Sequence, residues 1–195
     1  MVSRPQLILD IAGVILSNLS PGLWEDFSIL SGKSKDYLKK QFNTEIKNDL
    51  WTGRIKEEDF FKWIADSTQN IRREIAADLI KKHLYTLPSI DHLQSWSEIA
   101  DIHLLSNHVQ QWVEPLIKPY IAFLKSITIS SSVGFCKPYR DIYDIVDSGL
   151  IGSNVLFIDD QEKNLITARS LGWNTLLADE GGLWIKEITK YLNAY

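Results

Sequence analysis

Asp10 stands directly after a short apolar run, Leu7–Leu9, and is followed by Ile11-Ala12-Gly13, so a lone carboxylate meets a glycine able to turn tightly. Three further segments place polar groups just beyond apolar runs. They are Leu104-Leu105-Ser106-Asn107-His108, Gly134-Phe135-Cys136-Lys137-Pro138 and Ile158-Asp159-Asp160-Gln161-Glu162-Lys163-Asn164. Together they offer a carboxylate nucleophile, hydroxyl and amide donors, a cation, and a pair of acids suited to a hard, oxygen-liganded metal. A carboxylate can attack phosphorus only when its own charge and that of the phosphate are offset, which Mg²⁺ and a lysine would do. A serine and helix-terminal amides would orient the phosphate oxygens for in-line displacement. Taken singly, each piece has a plainer reading: Asp10 as a turn residue, Ser106-Asn107 as a helix cap, Lys137 as a solvated charge, Asp159-Asp160 as a loop.

Four such groups can meet only if the elements carrying them end at one place. In open α/β sheets that place is the carboxyl end of the strands. Strands are expected at Leu7–Leu9, Ile102–Leu105, Ile127–Ile129, Val155–Ile158 and Thr175–Leu177. They are brief and apolar on both faces, mostly separated by enough chain for a crossover helix, which is the pattern of a covered parallel sheet. The fold class is therefore α/β, with a doubly wound parallel sheet. From Ser17 to Asp101 there is no comparable apolar run, only near-helical spacing in Trp24/Phe27/Ile29, Tyr37/Leu38/Phe42, Phe60/Phe61/Ile64 and Ile75/Leu79/Ile80/His83. So long a connection is not structureless, and it reads as an inserted helical lobe. Pro21-Gly22, Gly32, Gly53 and Pro88 would break it, Ser34 or Thr68 would start helices, and Pro138 would start another further on.

A chain of 195 residues suits one domain with an inserted lobe, and 45% apolar with 24% charged residues is ordinary globular composition rather than disorder. With 25 acids against 21 bases and a net charge of −4, the chain lacks the basic excess of a nucleic-acid binder. The single cysteine, Cys136, leaves no intrachain disulfide and fits a reducing, cytoplasmic setting. The Met1-Val2-Ser3-Arg4-Pro5 start and the apolar run broken by Asp10 are too short for a signal segment or a membrane span. No oligomeric state follows from these data.

The order and spacing of Asp10-Ile-Ala-Gly-Val, Ser106-Asn107, Lys137-Pro138 and Asp159-Asp160 resemble the haloacid dehalogenase-like superfamily over nearly the whole chain. Ser106-Asn107-His108 and the segment Trp51-Thr-Gly-Arg-Ile-Lys-Glu-Glu-Asp-Phe60 are similar to a phosphatase branch that includes sugar-1-phosphate phosphatases and the N-terminal domains of epoxide hydrolases. The resemblance implies a Rossmann-like core at residues 1–16 and 91–195, with a helical cap at 17–90. It implies Asp10 as the nucleophile of an aspartyl-phosphate. Mg²⁺ would be held by Asp10, the Ala12 carbonyl and Asp160, supported by Asp159, and phosphate would be bound by Ser106, Asn107 and Lys137. The implied substrate is a small phosphorylated metabolite, with sugar phosphates as one class.

The main departure is Ala12, where the family pattern usually has a second aspartate that protonates the leaving group and then activates water. A methyl group cannot shuttle protons, and losing such a group typically slows a reaction about 10²- to 10⁴-fold. Asn164 replaces a frequent aspartate and is a milder change. Two other readings follow from the same departure: a dehalogenase, which needs no metal and is disfavoured by the Asp159-Asp160 pair, or a descendant that binds a phosphorylated ligand or a protein without turnover. His108 could donate a proton in place of position 12, although a helix-surface histidine is the plainer reading. Cys136 reads as buried and inert, His83, His92 and His103 lack metal-ligand spacing, and Trp24 and Trp51 could line a substrate pocket.

Overall fold

Five strands, β1 (Gln6–Leu9), β2 (Asp101–Ser106), β3 (Ser126–Ile129), β4 (Val155–Asp159) and β5 (Asn174–Leu177), pair in parallel in the order β3-β2-β1-β4-β5. They coincide with the five expected apolar runs. The computed structural model describes residues 4–194, so Met1, Val2 and Ser3 of the N-terminal stretch and the terminal Tyr195 lie outside the described residues. The strand order reverses direction on either side of β1, which puts the C-terminal ends of β1, β2 and β4 side by side. This is the position at which open α/β sheets bind ligands.

Side chains alternate between the two faces of the sheet, and both faces are buried along β1, β2 and β4, while the edge strands β3 and β5 are partly exposed. Leu7, Leu9, Ile102, Leu104, Leu156 and Ile158 join one apolar cluster, while Ile8, Leu105, Val155 and Phe157 join a second. Each fully buried aliphatic or aromatic side chain contributes about 1.5–3 kcal/mol relative to exposure, which is why the central strands β1 and β4 are apolar except at Gln6 and Asp159.

Between β1 and β2 run α1 (Gly22–Ser31), α2 (Lys35–Glu45), α3 (Lys47–Trp51), α4 (Glu57–Thr68), α5 (Arg73–His83) and α6 (Leu93–Ile99). After β2 come α7 (Gln110–Ile117), α8 (Ser130–Val133), α9 (Arg140–Asp147), α10 (Glu162–Ser170) and α11 (Leu183–Asn193). The second cluster is closed by Ile142, Tyr143 and Val146 of α9 with Leu165 and Ala168 of α10. The first is closed by Trp96 of α6, Val113 of α7 and Ile188 of α11, and it continues through Val14, Ile15 and Leu16 into Phe27, Leu38, Phe60 and Ile64 of the inserted helices. The chain leaves toward these helices and returns along two paired stretches, with Ser17 N–H donating to the Tyr85 carbonyl at 2.8 Å and Leu87 N–H to the Ile15 carbonyl at 2.9 Å. Among the described residues no helix is long and apolar enough to cross a membrane.

The helix signals are partly corrected. Ser34 caps α2, its hydroxyl accepting from Tyr37 N–H at 3.4 Å, and Gly32 ends α1 at a φ of +70°. Thr68, expected to start a helix, ends α4 instead: its hydroxyl donates back to the Ile64 carbonyl and accepts from Ile71 N–H, closing the terminus. Pro138 does not occupy a first helical position, because α9 begins at Arg140 and Pro138 sits in the preceding turn. Ile29 and Tyr37, grouped with core positions by spacing, face solvent, while Trp24, Phe27, Leu38 and Phe42 carry the buried stripe.

Candidate active site

Asp10 follows β1 and stays attached to the sheet, its N–H donating to the Ile158 carbonyl at 2.9 Å. Its Oδ1 accepts the Ile11 N–H at 2.6 Å and the Ser106 hydroxyl at 2.7 Å. Its Oδ2 lies 2.8 Å from the Lys137 ammonium. Two donors therefore fix one oxygen while the other faces a cation, and Asp10 lines a cavity of about 540 Å³. Burial raises the Asp10 carboxyl to about 7 against the pull of Lys137, and Asp159 adds to the rise.

Lys137 is itself buried, and its ammonium bridges Asp10 and Asp159, the latter at 2.5 Å. Burial alone would draw the ammonium down, but the two carboxylates outweigh it and hold the group above its usual value. Asn107 sets the height of this lysine: its Nδ2 donates to the Lys137 carbonyl and its Oδ1 accepts the Lys137 N–H, both at 2.7 Å. One Nδ2 hydrogen of Asn107 is left toward the cavity it lines. Ser106 is fully buried, and its hydroxyl proton goes to Asp10.

At the end of β4 the two acids play different parts. Asp159 is fully buried and receives Gln161 N–H at 2.8 Å and the Asn164 amide at 2.9 and 3.0 Å, besides Lys137. Asp160 is half-buried and accepts the Asn18 amide at 2.9 Å. Gly13, at a φ of +81°, packs so tightly that an added Cβ would lie 2.4 Å from Asp160 Oδ2 and 2.7 Å from Asn18 Nδ2. Asp10, Asp159 and Asp160 bring carboxylate oxygens within 4.8 Å of one another. Three such groups against one lysine leave a charge deficit that a hard divalent cation would neutralise, so the donor set fits Mg²⁺.

The sequence-derived residues Asp10, Ala12, Ser106, Asn107, Lys137, Asp159 and Asp160 thus converge at the carboxyl ends of β1, β2 and β4 and in the turn before α9. Two others were missed. Asn18 pins Asp160 from 142 positions away, and no sequence signal marked it. The anchoring role of Asn164, singled out only as an exchange for aspartate, comes from its place one turn into α10, facing β4.

His108 is not on a helix surface. It is buried before α7, its ring against Trp51 and Trp112, its Nδ1 accepting Val109 N–H at 3.0 Å; burial depresses it to about 4. A group depressed that far is uncharged at neutral pH, so it is no replacement acid. Cys136 is half-buried rather than buried, and burial pushes its thiol up, away from reactivity. Trp24 and Trp51 both lie on the cavity wall.

No family model matches the chain. A D-ribitol-5-phosphate phosphatase from Bacteroides thetaiotaomicron is 27% identical over 205 residues, spanning 96% of this chain and 98% of that protein. Among solved structures, an HAD family enzyme from Bacteroides thetaiotaomicron matches with a TM-score of 0.84 at 20% identity, covering 95% of this chain and 98% of that one. A predicted HAD-like family hydrolase from Porphyromonas gingivalis matches with a TM-score of 0.77 at 24% identity, covering 97% and 98%. The Bacteroides enzyme in complex with magnesium and inorganic phosphate matches with a TM-score of 0.77 at 20% identity, covering 90% and 94%.

Proposed function

We propose that the chain is a haloacid dehalogenase-like hydrolase and, within that class, a magnesium-dependent phosphatase of a small phosphorylated metabolite, a sugar or polyol phosphate, a reading supported by its fold and by the order of its motifs. The observation that carries this is the Asp10 carboxylate, with one oxygen tethered by Ile11 N–H and Ser106 and the other held against a buried lysine at the floor of a cavity. Residues 17–90 act as the cap and set specificity from above.

Asp10, the Ala12 carbonyl and Asp160 would hold Mg²⁺, with Asp159 behind them; the ion would neutralise charge between carboxylate and phosphate. Lys137 binds an equatorial phosphate oxygen while keeping its contact with Asp159. Asn107 adds its remaining amide hydrogen and keeps the lysine backbone at the height of the phosphate. Ser106 orients Asp10 and reaches phosphate only by letting that carboxylate go. Asp10 Oδ2 forms the new bond to phosphorus as the bond to the leaving oxygen breaks. That oxygen departs with the bonding electrons and takes a proton from water, since Ala12 has none to give. Water then attacks the aspartyl-phosphate, releasing inorganic phosphate and restoring the Asp10 carboxylate.

The test is phosphate release from a panel of sugar, polyol and aryl phosphates with and without Mg²⁺, using Asp10→Asn as the blank. Release that requires both Mg²⁺ and Asp10 is expected. Release insensitive to both rejects the site. Absence of any phosphorylated Asp10 leaves the non-catalytic binding reading, which Ala12 favours.

A further inference from the structure

Lys39 of α2, Lys47 at the start of α3 and Lys163 of α10 come from three elements yet line the same cavity that has Asp10 in its wall. None of the three has an ion-pair partner among the described residues. Some other surface cations are paired, Lys35 with Glu25, Lys82 with Asp26 and Arg73 with Glu58; Lys39, Lys47 and Lys163 are set apart by sharing one cavity. Lys39 donates to the Ser20 hydroxyl at 3.1 Å, which satisfies a proton without cancelling a charge. Among the described residues Asp10 is the one acid in the cavity wall; with Asp159 and Asp160 behind it, it forms the acidic group that Lys137 and a divalent cation would neutralise. Three uncompensated cations around one opening, in a chain whose net charge is −4, make a local field that attracts anions.

The proximity of the three bears on Lys47, whose ammonium is drawn below its ordinary range by partial burial and then by repulsion from Lys163 and Lys39. An anion placed among the three would relieve that repulsion. Trp24 and Trp51 supply an apolar wall to the same cavity, suited to a carbon skeleton.

We propose that Lys39, Lys47 and Lys163 form a second anion subsite, which selects substrates carrying a phosphate or carboxylate remote from the phosphate that is cleaved. The proposal rests on the phosphatase reading and narrows its substrate class to doubly anionic metabolites. Each lysine is solvent-exposed, so each contact is worth about fivefold in affinity at most, and two removed together about tenfold or more.

The experiment measures binding and needs no turnover. The full chain carrying Asp10→Asn, in Mg²⁺, is titrated calorimetrically with glucose 6-phosphate, glucose 1,6-bisphosphate and 6-phosphogluconate, with and without Lys47→Ala and Lys163→Ala. At least one doubly anionic compound is expected to bind about tenfold more tightly than glucose 6-phosphate. The double variant should erase that gap while changing glucose 6-phosphate by less than about twofold. A gap for the bisphosphate alone identifies a second phosphate as the distal group, and one for 6-phosphogluconate alone identifies a carboxylate. No preference for the doubly anionic compounds, absence of binding included, overturns the subsite. So does an equal loss for all three ligands in the double variant, which would mean general electrostatic steering. Failure of the phosphatase reading is seen separately, as missing Asp10-dependent phosphate release, and leaves the binding result intact.

Discussion

If Asp10 is the nucleophile as proposed, Ala12 should make the rate depend on the leaving group. Ala12 lines the cavity, where among the described residues Asp10 is the one carboxylate and burial keeps the His108 imidazole depressed to about 4. Aryl, acyl or anomeric phosphates, whose oxygens depart readily without a proton, should therefore react at least tenfold faster than simple alkyl phosphates. Ala12→Asp should flatten this dependence by accelerating alkyl phosphates most. The measurement is single-turnover phosphorylation of Asp10 across monoesters of graded leaving-group pKa; equal rates for alkyl and aryl esters in the wild type would show that some other group supplies the proton. His108 supports a prediction of a different kind. Its imidazole is held to about 4 when folded and titrates near 6.5 when unfolded, so below 6.5 the unfolded chain takes up the proton first. The histidine contribution is fully present above pH 6.5 and is lost as pH falls toward 4. Denaturant unfolding should show His108→Gln losing about 2–3 kcal/mol less than the wild type between pH 7.5 and 4.5, and parallel losses would contradict the burial argument.

At the scale of elements, the loop after β1 is held by a fit as well as by hydrogen bonds. Gly13 and Gly134 both have φ above +80°, so alanine at either position should cost about 1–2 kcal/mol in backbone strain. Only at Gly13 does the added Cβ meet Asp160 and Asn18; at Gly134 nothing lies within 4 Å. Both variants should thus lower the melting temperature, Gly13→Ala more because the clash adds to the strain, and Gly13→Ala alone should lose more than about tenfold in turnover. Comparable turnover in the two variants would separate the glycine from the acid it crowds.

For the whole molecule, the three acids at the ends of β1 and β4 would couple Mg²⁺ binding to stability if they hold the ion as proposed. Mg²⁺ that binds only the folded chain at ten times its Kd should add about 1.4 kcal/mol, or about 3–6 °C in Tm. Asp160→Ala should abolish the rise with the circular dichroism spectrum unchanged, because Asp160 is the half-buried acid of the three while Asp10 and Asp159 also brace Lys137. A Tm response that survives in this variant would remove Asp160 from the ligand set.

The five strands, the polar groups at the ends of β1, β2 and β4, and the lysine turn that follows β3 were legible in the sequence. A sheet covered on both faces must be built of apolar runs, and ligand groups must sit where those runs stop, so composition and order suffice. Helix limits were less legible, as Thr68 and Pro138 illustrate, because a hydroxyl or a proline serves a terminus or a turn as well as a start. Only the tertiary structure decided that Asn18 reaches Asp160, that Asn107 grips the Lys137 backbone, that His108 is buried against Trp51, and that Lys39, Lys47 and Lys163 share one cavity. These contacts join side chains far apart in the chain, and each depends on how the inserted helices settle on the sheet. Apolar periodicity specifies which face of a helix is buried but not which polar residue of another element it will meet.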